Sequence, residues 1–480
     1  MCQGMNARYD YYAIVIGAGA AGLVVAKGLA KAGKKVLLVE KGPYGGDCAN
    51  FGCIPTKALI ASANVAHEVW RSGLYGIDMQ ISGFQSNRVL DRVRAVVEQI
   101  RAKNSPPALN PLGVETLTAS AAFVDPHTIA VGERKITAKK IIIATGSIAH
   151  VPNINGLPDL PFHTSQTLFS LKEVPSSLAI IGGGQIGCEL ALAFKRLGSS
   201  VTLVEQADIL LKQEEPEAYK AVQSALIKEG VEIYLRHEVT RVWPDGDKAG
   251  LTLRHKLDDK TYDVRVKEVM IACGRRPNLK ELNLEAAGVR YTEKGIEHDG
   301  YGRTTKPHIW VVGDASGESF FTHAAVQHAR RVLLNLLLPW PFKRKLDTAQ
   351  AVPRIISSDP EVASIGLTEK EANELYGNSS IATYIVALPS ADRAICEARE
   401  DGFVKIVTKR YSGKILGATV VSPIGADMLP ELQIAMREGV TFRKLASLIH
   451  PYPTYSQIIQ KAADKWLKET ILPLIGKFIS

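Results

Sequence analysis

Two glycine-rich turns, each set between a strand and a helix, constrain this 480-residue chain more than any other feature. The first follows the apolar, β-prone residues 12–16 and reads Gly17-Ala18-Gly19-Ala20-Ala21-Gly22. An apolar helix is expected over residues 23–32, stopped by Gly33, and a second strand over residues 36–39, ending in Glu40. This is the physics of a dinucleotide site. Gly17 permits the tight turn, Gly19 lets the backbone approach a pyrophosphate, and Gly22 lets helix and strand pack closely. The helix N-terminus offers free N–H groups to the phosphates. Glu40, one helix and one strand after Gly22, is placed to accept from ribose hydroxyls.

The unit recurs. A strand over residues 177–181 leads into Gly182-Gly183-Gly184-Gln185-Ile186-Gly187, then a helix over residues 188–197 closed by Gly198. The next strand, residues 201–204, ends in Glu205, which stands at the same distance from Gly187 as Glu40 does from Gly22. Two such units, opening at Gly17 and at Gly182, imply two dinucleotides in separate domains, most economically a flavin and a nicotinamide. Three strand ends support the reading: Ile143-Ala144-Thr145-Gly146-Ser147, Ile271-Ala272-Cys273-Gly274-Arg275-Arg276-Pro277, and Val311-Val312-Gly313-Asp314. Asp314 suits a sugar or ribityl hydroxyl.

Composition narrows the class. A hydrophobic fraction of 46% and a charged fraction of 22% exclude a mostly disordered chain, a collagen and a coiled coil. No apolar run reaches the ~18 residues of a spanning helix. The polar N-terminus lacks the apolar core of a secretory signal, so a reducing cytoplasm is expected. The net charge of +9 is spread along the chain, which argues against nucleic-acid binding. Residues 333–342 are unusually apolar and precede Lys343-Arg344-Lys345, and residues 466–479 are loosely amphipathic; both fit domain packing or a subunit interface better than a membrane surface.

Six cysteines are too few for a disulfide scaffold. Two of them stand apart in Gly45-Gly46-Asp47-Cys48-Ala49-Asn50-Phe51-Gly52-Cys53-Ile54-Pro55-Thr56-Lys57. Four intervening residues can close into a helical turn and bring the sulfurs together. No second close Cys or His pair completes a zinc site, so no metal is expected. A redox pair beside a flavin, its thiols activated by a helix N-terminus, explains the spacing better than an inert pair. Cys188, Cys273 and Cys396 read as small hydrophobes, and Cys2 lies at a terminus.

On these motifs the chain resembles the class I pyridine nucleotide-disulfide oxidoreductases, which include lipoamide dehydrogenase, glutathione reductase and mercuric reductase. The likeness runs from residue 13 to about residue 463. It implies an α/β fold of two Rossmann-like dinucleotide-binding domains and a C-terminal α+β dimerisation domain. The domains would be residues 1–155 and 274–345 for FAD, 156–273 for NAD(P)H, and 346–480 for the homodimer contact. The dimerisation domain is marked by the run from Asp359-Pro360-Glu361 to Thr368-Glu369 and by Gly413-Lys414-Ile415-Leu416-Gly417-Ala418.

The resemblance also implies site residues. FAD would meet Gly17, Gly19, Ala20, Ala21, Gly22, Glu40, Lys41, Gly46, Asp47, Lys57, Ala121, Ala144, Thr145, Gly146, Gly313, Asp314, Thr322 and Ala324. NAD(P)H would meet Gly182, Gly184, Gln185, Ile186, Gly187, Glu205 and Gly274. Cys53 would lie against the flavin, Cys48 would meet a small-molecule substrate, and Lys57 and Glu189 would pair beside the reactive ring nitrogen.

Departures from the family pattern shape the expected function. Disulfide-reducing members carry His-Pro-Thr-x-x-Glu near the C-terminus, the His reaching across from the partner subunit. Here the segment reads His450-Pro451-Tyr452-Pro453-Thr454-Tyr455-Ser456-Gln457, with Tyr452 at the His position and Gln457 at the Glu position. Tyr452 is therefore the candidate acid/base and His450 its alternative. The pattern is closest to the mercuric-reductase-like branch, yet residues 1–480 show neither the adjacent C-terminal cysteines nor the N-terminal metal-binding domain of that branch, so mercuric ion is not the expected first choice of substrate. Relatives there also reduce hypothiocyanous acid. Asp47 stands where Thr is usual. A reductase of a small thiol-reactive substrate, hypothiocyanous acid or a metal ion, is thus expected over a dihydrolipoamide dehydrogenase or other disulfide reductase. A non-catalytic scaffold is disfavoured because Cys48, Cys53, Lys57 and Glu189 are all present. Glu205, with no Arg before Lys212, favours NADH over NADPH.

Overall fold

The duplicated unit is visible at once in the computed structural model, which describes residues 9–83, 85–346 and 352–479. In the first unit Val114–Thr118, Val36–Glu40, Tyr11–Ile16, Arg134–Ile143 and Ile309–Val311 lie side by side in parallel. Ile14 is in register with Leu37 on one side and Ile141 on the other. The central strands Tyr11–Ile16 and Val36–Glu40 are almost wholly apolar because both of their faces are covered. Ala13, Val15 and Val36 pack beneath the helices Ala20–Lys31 and Thr322–Leu337. Their alternates Ile14, Ile16 and Leu37 pack against the antiparallel Ala121–Asp125 and Thr128–Val131.

The second unit repeats the plan. Glu232–Leu235, Ser200–Glu205, Ser177–Ile181 and Glu268–Ile271 form a parallel sheet. Leu178 and Ile180 face the helix Gln185–Arg196, while Ala179 and Ile181 face the antiparallel strands His237–Asp245 and Lys248–His255. The third unit is an antiparallel sheet in the order Arg354–Ile356, Glu361–Gly366, Ile415–Ser422, Phe403–Lys409, Ile381–Ala387. The helices Gly425–Arg437 and Gln457–Trp466 cover it. The predicted α/β class with a C-terminal α+β unit is the fold observed.

Both glycine-turn helices begin three residues earlier than the pattern of apolar residues suggests, at Ala20 and Gln185. The second half of each turn motif is already the first helical turn, with Gly19 and Gly184 as extended N-caps. The reason is common to both copies. A Cβ on Gly22 would stand 1.9 Å from the Gly17 carbonyl oxygen, and one on Gly187 1.9 Å from that of Gly182. Gly17 and Gly182 themselves hold φ of +105° and +118°, open to glycine.

Two segments expected at packing surfaces are only partly buried in the single chain. The apolar segment before Lys343 is not fully packed away: Leu334, Leu337, Leu338, Trp340 and Phe342 are exposed. Of the amphipathic tail, Trp466 belongs to the core and Leu467 and Ile471 pack against it, whereas Leu472 and Ile475 are exposed. Cys2, and residues 347–351 at the expected start of the last domain, lie outside the described residues. No helix among the described residues is long and apolar enough to cross a membrane.

Candidate active site

The two motif cysteines do not share one helical turn. Cys48 sits in the short helix Gly46–Asn50, which ends at Phe51, and Cys53 opens the 19-residue helix Cys53–Arg71. The amides of Phe51 and Gly52 both donate to Asp47 O at 2.8 Å, folding the link back so that the two sulfurs hydrogen-bond as free thiols. The pair is polarised. The hydrogen bond from Cys48, a contact with Thr322 Oγ1 at 3.5 Å and the charge of Lys57 pull Cys53 down to about 6 against the opposing effect of burial. Its place at a helix N-terminus acts in the same direction. The bond to Cys53 and burial push Cys48 up.

Lys57, one helical turn beyond Cys53, donates to Glu189 Oε2 at 2.7 Å. Glu189 comes from the second unit's helix and is only 2% exposed. Its other oxygen accepts from the Ser357 amide at 2.8 Å and from Gln185 Nε2 at 3.3 Å. Three units of the fold thus meet on one carboxylate beside the thiols. A carboxylate buried this deeply needs such hydrogen-bond and charge partners.

These groups border a cavity of about 460 Å³. It runs from the first glycine turn (Gly17, Gly19, Ala20, Ala21) past Glu40 and Lys41, Gly46, Asp47 and Ala121, to Ala144, Thr145, Gly146, Gly313, Asp314 and Thr322. Gly46 is there of necessity, since a Cβ on it would stand 2.5 Å from Gly19 Cα. The cysteine motif therefore starts in contact with the first glycine turn. Gln185 and Ile186 of the second turn also border the cavity, so the two glycine turns converge beside the cysteines. Gly22 lies behind the turn as packing. Ala324 is not on the cavity wall; its neighbour Ala325 is. Lys41 is paired with Glu281 at 2.6 Å.

Asp47 meets the charge that its type brings. Arg275 NH2 lies 3.0 Å from Asp47 Oδ2, and Arg275 Nε donates to Ser147 Oγ at 2.8 Å. Ser147 Oγ in turn donates to Asp314 Oδ2 at 2.5 Å. Burial raises Asp314 above the usual carboxylate range, with the Ser147 bond and Arg275 opposing. Sequence reasoning reached Asp47 and Asp314 but missed Arg275 and Ser147. The signal was their position directly after Gly274 and Gly146.

The cavity fits an FAD-sized polar ligand. Thr145 Oγ1 and Asp47 Oδ1 are buried on its wall with no hydrogen-bond partner among the described residues. Each such atom costs about 1–3 kcal/mol if left unmet. Glu40 is fixed in place by its own turn, where the Ala18 and Gly42 amides donate to its two oxygens at 2.7 and 2.8 Å. Glu205 is held identically by the Gly183 and Ala207 amides, at 2.7 and 2.8 Å. A Cβ on Gly184 or Gly274 would meet nothing within 4 Å, which leaves backbone open to a coenzyme at the second turn.

Neither C-terminal candidate reaches the cysteines within one chain. His450 is turned inward, with Nε2 2.9 Å from Glu431 Oε1 and a side chain 6% exposed. Tyr452 points outward, 70% exposed, and donates to Asp392 Oδ2 at 2.8 Å. That bond and the Asp392 charge raise its phenol. Cys396 is a correction: it is not a buried hydrophobe but an exposed thiol ending the short helix Asp392–Cys396. Cys188 is buried as expected, and Cys273 half-buried. Among the described residues no cluster of three or more His, Cys, Asp or Glu could hold a metal ion.

Comparison with known proteins agrees with this architecture. Residues 11–329 match the pyridine nucleotide-disulphide oxidoreductase model, and residues 352–463 match the dimerisation domain of the same family. A mercuric reductase of Bacillus cereus is 31% identical over 95% of this chain and 71% of its own length. A dihydrolipoyl dehydrogenase of Bacillus subtilis is 32% identical over 93% of this chain and 97% of its own. Among solved structures, the Cu(II) complex of the HOCl-induced flavoprotein disulfide reductase RclA from Escherichia coli superposes with a TM-score of 0.85. It is 29% identical, covering 95% of this chain and all of that one. With both of its parts matched in order, the chain belongs to the pyridine nucleotide-disulphide oxidoreductases, FAD-dependent enzymes that use NAD(P)H.

Proposed function

We propose that this enzyme passes an electron pair from NADH through Cys48 and Cys53 to a small thiol-reactive oxidant, with hypothiocyanous acid as the favoured acceptor. The observation that carries the reading is the polarised thiol pair combined with an outward tyrosine, and no outward imidazole, in the C-terminal segment. FAD, when bound, would take a hydride from the nicotinamide and deliver the electron pair to the Cys48–Cys53 disulfide. The chain's own residues hold and use the resulting dithiol. Lys57, fixed by Glu189, keeps a positive charge beside Cys53, and Thr322 bonds its sulfur. Cys48 meets the acceptor. Its thiol passes its proton to the neighbouring Cys53 thiolate as the sulfur attacks the sulfur of hypothiocyanous acid and expels hydroxide, giving a Cys48 sulfenyl thiocyanate. Cys53 then releases that proton, attacks Cys48 Sγ as a thiolate, reforms the disulfide and expels thiocyanate. Two thiols and one acid yield one disulfide, thiocyanate, water and a proton.

Tyr452 of a second copy of the chain supplies the proton that turns the leaving hydroxide into water. Its raised phenol stays protonated at neutral pH, as a donor must. The site is therefore built by a homodimer. A monomer with full reductase activity in sedimentation velocity would contradict this.

A disulfide substrate needs an imidazole with a carboxylate behind it, and His450 spends both on its own domain. A panel of acceptors tests the assignment under NADH: hypothiocyanous acid, mercuric ion, Cu(II), lipoamide and glutathione disulfide. Cu(II) is included because the RclA neighbour was solved as a Cu(II) complex. Turnover is expected with hypothiocyanous acid and not with the two disulfides. Lipoamide as the best acceptor would overturn the reading.

Coenzyme choice follows from Glu205. Both its oxygens are oriented by amides, leaving lone pairs for the two hydroxyls of the adenosine ribose and repelling a 2′-phosphate. Arg236 emerges next to it, because Leu235 pairs with Glu205, but Asp208 holds its guanidinium at 3.4 Å. The expected kcat/KM for NADH exceeds that for NADPH by at least about tenfold, some 1.4 kcal/mol. A tenfold preference for NADPH would remove the role given to Glu205.

A further inference from the structure

The helix Thr322–Leu337 runs from the cofactor cavity to the surface and ends in an apolar knuckle. Leu334, Leu337 and Leu338 are exposed there, and beyond them Trp340 is 68% and Phe342 60% exposed. The knuckle is built rather than frayed. Asn335, almost fully buried, donates from Nδ2 to Tyr301 O at 3.0 Å and to Arg344 O at 2.8 Å, and its Oδ1 accepts from the Arg344 amide at 2.7 Å. Both ends of the loop are thereby clamped, and the two aromatic rings are presented between them. Tyr301 supports Trp340 edge-on at 5.8 Å between ring centroids.

A cluster of basic side chains, here called the collar, follows this tip in the chain. Lys343, Arg344 and Lys345 follow Phe342 directly, with Lys343 Nζ 5.4 Å from the centre of the Trp310 ring. Lys139, Lys140 and Arg303 come in from elsewhere in the chain. They are close enough that Lys343, Lys139 and Arg303 add to burial in lowering Lys140. Asp299 neutralises one of these charges, pairing with Arg303 at 2.8 Å. Like charges gathered around exposed Trp, Phe and Leu do not stabilise the folded chain; they suit an anionic surface with an apolar layer beneath it.

We propose that Trp340, Phe342 and the leucines behind them dock the enzyme on the surface of an anionic phospholipid bilayer. The aromatic rings enter the headgroup boundary, and the lysines and arginines meet the lipid phosphates. The aliphatic leucines favour a bilayer over a nucleic acid, whose bases offer them nothing to stack on. The collar disfavours a second copy of the same face, since like charges would be opposed.

The test uses the FAD-loaded enzyme and sedimentable vesicles. Co-sedimentation is expected with phosphatidylglycerol-containing vesicles and not with pure phosphatidylcholine, with tryptophan fluorescence shifting to the blue. Raising the salt should weaken it, because the collar acts through screened charges. Trp340→Ala with Phe342→Ala should cut the partition coefficient about tenfold or more, leaving NADH turnover with a soluble acceptor unchanged. Lys343→Gln with Lys345→Gln should lower it while keeping the tryptophan as reporter. The proposal is overturned if phosphatidylglycerol vesicles do not bring the enzyme down, or if the aromatic variant binds them as well as the parent. It is equally overturned if the tip captures an oligonucleotide in preference to vesicles, or serves only to associate copies of the chain.

Discussion

Cys48→Ser is expected to lower acceptor turnover by at least about a thousandfold, because it removes the attacking sulfur. Cys53 should survive the change as a thiolate, since the serine hydroxyl can donate the hydrogen bond that the thiol gave. The pair is polarised in that sense: Cys53 sits at about 6, so its thiolate is present above that pH and is lost as pH falls through it. Reduced, FAD-loaded Cys48→Ser should therefore show long-wavelength absorbance that titrates with a midpoint near 6. Cys53→Ser should lose that absorbance and turnover together. A midpoint in the ordinary thiol range would contradict the polarisation, and full turnover by Cys48→Ser would contradict the order of the two sulfurs.

The largest stability effect is expected far from the thiols. Lys405, 2% exposed, reaches Glu215 at 3.1 Å, Glu217 at 2.9 Å and Glu369 at 2.8 Å, tying the second unit to the C-terminal sheet. These partners raise its ammonium well above the usual range against the effect of burial. Lys405→Met would leave the buried Glu215 carboxylate without its cation, at a cost of about 3–5 kcal/mol. The exposed pair of Lys228 and Asp401, 2.9 Å apart, is the control; Lys228→Met should change stability by less than about 1 kcal/mol. Chemical denaturation of the two FAD-loaded variants distinguishes them. Equal shifts would mean that Lys405 behaves as a surface charge.

What could be read from the sequence was what short-range geometry dictates. Gly17, Gly22, Gly182 and Gly187 carry their meaning locally: a turn and a close approach that a Cβ would block. Glu40 and Glu205 follow at a spacing set by one helix and one strand. The same logic failed by three residues at the helix starts, because the turn motif and first helical turn share residues. It failed at the cysteines too, where Gly52 interrupts the expected turn and gives Cys53 a helix of its own. Contacts between distant segments left no pattern to read. Arg196 joins Glu229, Asp359 and Asn64 from three parts of the chain, and Arg275 reaches back to Asp47 from beyond the whole second nucleotide unit. Cys396 looked buried because its neighbours are apolar, yet a five-residue helix turns both it and Ile395 outward.

Cys48 and Cys53 are expected to be the two sulfurs that carry the electrons to a small oxidant. Anaerobic thiol counting tests it most directly. The reduced, FAD-loaded enzyme is mixed with one equivalent of hypothiocyanous acid, the thiols are counted, and one equivalent of NADH is then added. The expected result is the loss of two thiols, recovery of both with NADH, and neither change when Cys48 and Cys53 are both replaced by Ser. Consumption of the oxidant at an undiminished rate by that double variant, or with the thiol count unchanged in the parent, would contradict it.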